Sequence, residues 1–234
     1  MKILKYKKYF ENKTEISLDQ IFNDCKPFIE EIKKCNFNKL LIRGFNNYIS
    51  EDDKKILKIE HNWNRIPRDT PEYYHDILNI YFMEKFGWYV RNGVFCYFTN
   101  LVSSSYGEPY ILFPIGDFNY LWNKDISDLF NYFESDFNED WDYRIDELFE
   151  EWCDSFSNKD YEKDCLPKYD DFYQEKYEEI RDEVEMELKD TVSNYINTNL
   201  CDTFYDTEIS VNCDEYYLIP ITYKEEILKK LKNI

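Results

Sequence analysis

The stretch between Asp125 and Asp190 constrains the fold more than any other part of the chain. It contains 25 acidic and 7 basic residues and so carries nearly all of the net charge of −19. Apolar residues recur in it at helical spacing, first at Trp141, Ile145, Leu148, Phe149 and Trp152, then at Tyr173, Tyr177, Ile180, Val184, Leu188 and Val192. This periodicity predicts two amphipathic helices with acidic outer faces, separated near Pro167.

The acidic stretch has two interpretations. It is either an ordinary solvated helical face or a row of carboxylates that imitates the phosphates of nucleic acid and binds a basic protein. The same charge would repel real nucleic acid. We therefore expect a protein partner or target of basic character, and no direct binding of DNA, RNA or a membrane.

The rest of the chain has the composition and patterning of an α+β domain. With 234 residues, 43% of them hydrophobic and 19% aromatic, it can bury a core. Helical patterns cover 16–35, 71–87 and 224–233. Strand patterns cover "KLLIRGF", a hairpin around Asn92-Gly93, "EPYILFPIGDF" and a hairpin near Cys213-Asp214. We predict one domain: an α+β body formed by 1–124 and 196–234, interrupted by an acidic helical insert at 125–195.

The seven cysteines and two histidines do not follow a metal-binding or disulfide pattern. The cysteines are odd in number, scattered and without a Cys-x-x-Cys pair, which predicts reduced, buried thiols and no metal. The N-terminus has no continuous apolar segment of the kind a signal peptide needs, and no window is apolar enough for a membrane span. We therefore expect a cytoplasmic protein.

Two carboxylates, Asp206 and Glu208, precede a late strand at a spacing of two. Side chains two apart in an extended chain point to the same side. Such a pair can orient a nucleophile and stabilise a developing positive charge, or it can be a solvated strand entry.

Four arginines are candidates for binding an anion. Arg43 ends the buried strand "LLIRG", where it is either a surface residue or a phosphate-binding group at the lip of a cleft. Arg65, Arg68 and Arg91 fall close together in the sequence. They either line a nucleotide site or pair with surplus carboxylates as structural bridges.

Three landmarks occur in a characteristic order: the Arg43-Gly44 pair ending an early strand, the strand "VFCYFT", and the acid-x-Glu motif Asp206-Thr207-Glu208 before a late strand. In this order and β context the chain resembles mono-ADP-ribosyltransferases of the arginine–serine–glutamate class. The chain resembles phage-encoded members of this class and their relatives.

The resemblance implies a split β-sandwich with flanking helices and with NAD in the cleft between two sheets. Arg43 and Gly44 would lie at the dinucleotide, with the arginine contacting its phosphates. Glu208 would be the catalytic glutamate, and Asp206 would face the acceptor side chain. The family's middle motif is Ser-Thr-Ser, whereas this chain has only Thr99 there, with the serines of 103–105 several residues later. Either Thr99 fills this role or the site is degraded.

These implications lead to one leading function and its alternatives. The leading one is NAD-dependent ADP-ribosylation of a host protein by a phage-encoded enzyme in the host cytoplasm. One alternative is the same fold without activity. The others are a non-enzymatic acidic protein acting through 125–190, as a DNA mimic or anti-defence protein, and a virion assembly factor.

Overall fold

The computed structural model describes residues 16–35, 37, 39–46, 55–65, 72–129, 132, 141–155 and 166–234. The fold is α+β, as predicted, and it divides into two compact units. The first unit comprises Met1–Trp63, Gly93–Trp122 and Asn197–Ile234; the second comprises Asn64–Asn92 and Asn123–Ile196. The acidic insert predicted at 125–195 thus falls in the second unit, together with Asn64–Asn92.

The first unit contains antiparallel strands from two sheets. One sheet has the order β1 (Ile42–Phe45), β4 (Glu108–Pro114), β8 (Glu215–Pro220) and β2 (Leu57–Glu60). The other includes β3 (Val94–Cys96), β7 (Ile209–Asn212) and β5 (Asn119–Asn123), in that order. The polar stretch around β2 did not predict a strand. This strand alternates half-buried and exposed residues at an edge of its sheet, so its apolar signal is weak.

Helices cover the first sheet and complete the core of the first unit. Helices α1 (Leu18–Asp24) and α2 (Lys26–Lys34) confirm the predicted N-terminal helical region, and Pro27 in the first turn of α2 accounts for the break between them. The ring of Phe28 meets Phe113 of β4 edge to face at 5.0 Å between centroids. A short helix α4 (Asn100–Ser103) follows β3, and α7 (Lys224–Leu231) ends the unit.

The hairpin predicted near Cys213-Asp214 is wrong, although both of its strands exist. Strand β7 pairs with β3 and β5, and β8 pairs with β4 and β2, so the two consecutive strands belong to different sheets. Each strand has both edges occupied by other partners. The short turn between them therefore passes the chain from one sheet to the other.

The second unit is mainly helical. It contains α3 (Glu72–Phe86), α5 (Trp141–Asp154), α6 (Tyr169–Ser193) and the short strand β6 (Tyr195–Ile196). Helices α5 and α6 confirm the two predicted amphipathic helices. Phe149 of α5 is 1% exposed and packs on Tyr169 and Phe172, with ring centroids 4.9 and 5.3 Å away.

The hairpin predicted at Asn92-Gly93 is also wrong, because Val90–Asn92 forms a turn of 3₁₀ helix. The side chain of Asn79 on α3 explains the difference. Its Oδ1 accepts a hydrogen bond from the backbone N–H of Arg91 at 2.9 Å, and its Nδ2 donates to Oδ1 of Asn92 at 2.7 Å. A buried amide 12 residues away along the chain thus fixes the local conformation.

Candidate functional site

The two sheets of the first unit join at Tyr97. The backbone N–H of Ile42 donates to the carbonyl of Tyr97 at 2.7 Å, and the N–H of Tyr97 donates to the carbonyl of Ile42 at 2.8 Å. Just before Tyr97, Cys96 of β3 pairs with Ile209 of β7. This short stretch therefore has β1 on one side and β7 on the other.

The backbones of three predicted site residues lie beside this junction. Arg43 follows the bridged Ile42 on β1, Glu208 directly precedes the paired Ile209, and Thr99 is two residues past Tyr97. The pairing register brings these three positions together from distant parts of the sequence.

Arg43 connects the two sheets through its side chain. It is half-buried, and its Nη1 donates a hydrogen bond to the carbonyl of Phe95 on β3 at 3.2 Å. Its Nε is buried and has no hydrogen-bond partner in the described part of the chain. The guanidinium also lies near the buried thiol of Cys213. Burial raises the pKa of that thiol to about 12, with contributions from Cys96 and Asp214, and the positive charge of Arg43 only partly opposes the increase.

Gly44 is required by close packing. A Cβ added there would lie 2.0 Å from the carbonyl oxygen of Ser103 and 2.8 Å from the carbonyl carbon of Tyr106. The turn of 3₁₀ helix Ser104–Tyr106 thus lies directly against this glycine. Gly44, for which the family resemblance implies a position at the dinucleotide, thus has a packing role.

Asp206 and Glu208 lie on a loop that leads into β7. Asp206 is exposed, Thr207 is 2% exposed and Glu208 is half-buried. The backbone N–H of Thr207 donates to the carbonyl of Phe204 at 3.3 Å, so Asp206 lies in a turn. The expectation that Asp206 and Glu208 point to the same side of an extended chain therefore does not apply at Asp206. The backbone N–H of Phe98, beside Thr99, donates to the carbonyl of Tyr205 at 3.2 Å, which ties the loop to the end of β3.

Two of the other predicted arginines, Arg65 and Arg91, lie in the second unit. Arg91 is 2% exposed, and Arg65 is half-buried. Both lie near His75 of α3. Burial lowers the pKa of this imidazole, and the positive charges of Arg91 and Arg65 lower it further. Arg68 lies outside the described residues.

A disulfide joins Cys35 to Cys201, so the prediction that all cysteines are reduced is wrong. The two cysteines are 166 residues apart, and their Cα atoms are 5.0 Å apart. Among the other cysteines that the structure describes, four are buried and form no disulfide: Cys25, Cys96, Cys153 and Cys213. No spacing rule identifies a pair so distant in sequence, because only the tertiary fold brings the end of α2 beside the turn at Leu200–Asp202.

Lys39 is a further residue that sequence reasoning missed. Its Nζ donates to the carbonyl of Cys201 at 2.5 Å and to the carbonyl of Thr203. It also lies over the rings of Phe98 and Tyr205, at 5.2 and 5.6 Å from their centroids. One ammonium group therefore contacts Cys201, Thr203 and Tyr205, all in the segment that leads to Asp206 and Glu208.

A cavity of about 320 Å³ lies in the first unit. Its lining includes Ile42, Phe98, Tyr205 and Leu228, with Lys224 of α7 and Lys232 just after that helix. Successive residues of a strand point to opposite faces. Arg43 therefore projects from the face of β1 opposite the one on which Ile42 lines this cavity.

A second cavity, of about 460 Å³, lies in the second unit. Carboxylates of Asp125, Glu187 and Asp190 contribute to its lining. Tyr132 also lines it and donates a hydrogen bond to Glu187 at 2.9 Å. The electrostatic character of this cavity is therefore negative.

In the described residues, no three histidine, cysteine or acidic side chains are grouped so that they could hold a metal ion. A helix long and apolar enough to cross a membrane is also absent from the part of the chain that the structure describes. No protein-family model, curated protein or solved structure matches the chain.

Proposed function

We propose that the protein is an NAD-dependent mono-ADP-ribosyltransferase that modifies another protein. The observation that supports this proposal is the junction at Tyr97. There the sheet register groups the backbones of Arg43, Thr99 and Glu208 where two sheets meet. The family that the sequence resembles holds NAD between two sheets and uses an arginine, a hydroxyl residue and a glutamate in this order along the chain.

Arg43 is suited to hold the diphosphate of NAD. Its Nη1 is engaged by the carbonyl of Phe95, while its buried Nε has no partner among the described residues. A phosphate oxygen can accept a hydrogen bond from the guanidinium N–H groups that Phe95 does not engage. A planar guanidinium can contact two oxygens at once.

Glu208 and Asp206 are suited to the transfer step. NAD, when bound, supplies the glycosidic bond between ribose and nicotinamide. The half-buried carboxylate of Glu208 would stabilise positive charge at the ribose. The exposed carboxylate of Asp206 would meet the acceptor side chain and take up its proton. Thr99 would supply the hydroxyl of the middle motif.

The test is NAD binding by calorimetry together with nicotinamide release, for the wild type and Glu208→Gln. We expect the substitution to lower turnover by a factor of about 100 or more, with NAD affinity and thermal unfolding nearly unchanged. Glu108→Gln, at an exposed strand residue of the same unit, is the matched control and should retain full turnover. Absence of NAD binding by the wild type would refute the proposal.

A second candidate function is favoured by the surface of α5 and α6. Among the side chains of these helices that the structure describes, fourteen carboxylates are exposed: Asp146, Glu147, Glu150, Glu151, Asp154, Asp170, Asp171, Glu175, Glu178, Glu179, Asp182, Glu183, Glu187 and Asp190. Few cations offset them, among them Arg144, which pairs with Glu183 at 3.4 Å, and Lys176, which pairs with Glu179 at 2.7 Å. Such a surface is suited to bind a basic protein.

Binding to a basic protein is tested with lysozyme and with a DNA-binding protein of similar charge, at 50 and 300 mM salt. We expect the wild type to bind the DNA-binding protein at low salt, and much more weakly at high salt because exposed charges are screened. The quadruple variant Glu175→Gln, Glu178→Gln, Asp182→Asn and Glu187→Gln should lose most of this binding. Equal binding to lysozyme would indicate attraction by net charge alone and would contradict a specific mimic.

A further inference from the structure

The loop that carries Asp206 and Glu208 is anchored at its start by a disulfide. Cys201 lies in the turn Leu200–Asp202, five residues before Asp206, and is bonded to Cys35 at the C-terminal end of α2. Cys35 is 9% exposed and Cys201 is half-buried. The loop start is therefore covalently attached to a helix that packs on the first sheet.

Lys39 holds the same loop without a covalent bond. Its hydrogen bonds to the carbonyls of Cys201 and Thr203 bracket Asp202, and its contact with the ring of Tyr205 reaches the residue before Asp206. Burial lowers the pKa of this ammonium group, partly opposed by Asp202. A desolvated cation holding carbonyl groups keeps its geometry only while those carbonyls stay in place. Of the two carbonyl groups that Lys39 contacts, the one of Cys201 belongs to a residue that the disulfide holds in place.

We propose that the Cys35–Cys201 disulfide is a thiol–disulfide switch that controls the position of Asp206 and Glu208. This inference rests on the proposed transferase function. In the oxidised protein the disulfide and Lys39 together hold the loop against α2 and β3. In the reduced protein only the contacts of Lys39 and the hydrogen bond from Phe98 to Tyr205 hold it, and the carboxylates leave the position required for transfer.

The chemistry of the switch is thiol–disulfide exchange. A thiolate of a dithiol reductant attacks Sγ of Cys201, which belongs to the more exposed of the two residues, and the S–S bond breaks with Cys35 leaving as a thiolate that takes up a proton. The second thiol of the reductant then displaces Cys201 from the mixed disulfide. Two electrons and two protons pass to the protein, and the reductant becomes a disulfide.

The test is amide hydrogen exchange of the intact protein, before and after treatment with dithiothreitol, with peptides that cover 203–208. We expect exchange in this loop to become about tenfold faster on reduction, while peptides from β4 and β8 remain unchanged. The double variant Cys35→Ser and Cys201→Ser should resemble the reduced protein and should not respond to dithiothreitol. Cys153→Ser, which removes a cysteine of the second unit that forms no disulfide, should respond like the wild type.

Nicotinamide release is measured on the same samples. We expect it to fall at least tenfold on reduction and to recover on reoxidation. Unchanged loop exchange on reduction would overturn the switch, and so would faster exchange throughout β4 and β8, because the disulfide would then support the whole unit. Activity that is equal in both states would also overturn it. If the oxidised protein has no turnover while the loop still responds to reduction, it is the proposed transferase function that fails.

Discussion

Nη1 of Arg43 donates a hydrogen bond to the backbone carbonyl of Phe95 at 3.2 Å, so that one side chain on β1 connects the two sheets of the first unit through β3. This contact gives Arg43 a structural role beside the phosphate-binding role that we propose for it.

Arg43→Lys should therefore lower both stability and NAD affinity. A lysine cannot reproduce the planar fork of the guanidinium, and the carbonyl of Phe95 would lose a charge-assisted donor. We expect a loss of about 1–3 kcal/mol in the free energy of unfolding in urea, and NAD binding at least tenfold weaker by calorimetry. Arg144→Lys, on an exposed face of α5, is the control and should change neither quantity.

Gly44→Ala should destabilise the first unit because the added methyl group collides with the backbone at Ser103 and Tyr106. We expect a loss of about 1–3 kcal/mol, since backbone atoms cannot move aside cheaply. Gly116→Ala is a useful comparison: its surroundings are open, but φ is +67°, so only a backbone conformational cost of about 1 kcal/mol applies. Urea denaturation of both variants gives the two values. A milder effect at Gly44 than at Gly116 would contradict the packing argument.

Phe149→Ala should destabilise the pairing of α5 with α6. The side chain is 1% exposed and packs between Tyr169 and Phe172, so its removal leaves a cavity in a small core. We expect a loss of about 3–5 kcal/mol, with amide exchange accelerated in α5 and α6. Phe204→Ala, at a ring that is 63% exposed, should change the free energy of unfolding by less than about 0.5 kcal/mol.

The histidine on α3 should make stability depend on pH. Burial lowers the pKa of His75 below its usual value of 6.5, the charges of Arg91 and Arg65 lower it further, and Asp76 and Glu72 oppose this decrease. Between the folded-state pKa and about pH 6.5, His75 binds a proton in the unfolded chain but not in the folded one. The free energy of unfolding therefore decreases as the pH falls through this range. His75→Gln should remove this component.

Urea denaturation between pH 8 and 5 measures this effect. We expect the difference in unfolding free energy between wild type and His75→Gln to be constant above about pH 7.5 and to change in favour of the variant at lower pH. Parallel pH profiles would show that His75 titrates alike in both states.

The main periodic elements could be read from the sequence. Helical spacing predicted α5 and α6, and the continuous apolar runs before Arg43 and around Tyr110 predicted β1 and β4. These signals are local, because a helix or a buried strand repeats its apolar positions within a few residues. The two predicted hairpins failed for the converse reason. At Asn92 the side chain of Asn79 sets the turn, and at Cys213 the strand partners come from elsewhere in the chain.

For the candidate site too, some features follow from the sequence and others from the tertiary structure. The sequence by itself determined the residue types and their order: Arg43, Thr99, Asp206 and Glu208 at the ends of strands, and a helical stretch rich in carboxylates. Only the tertiary structure decided which of them come together. The grouping around Tyr97, the Cys35–Cys201 disulfide and the contacts of Lys39 all join residues far apart along the chain. Such contacts depend on how whole strands and helices pack, and a periodic pattern carries information only about the face that each element buries.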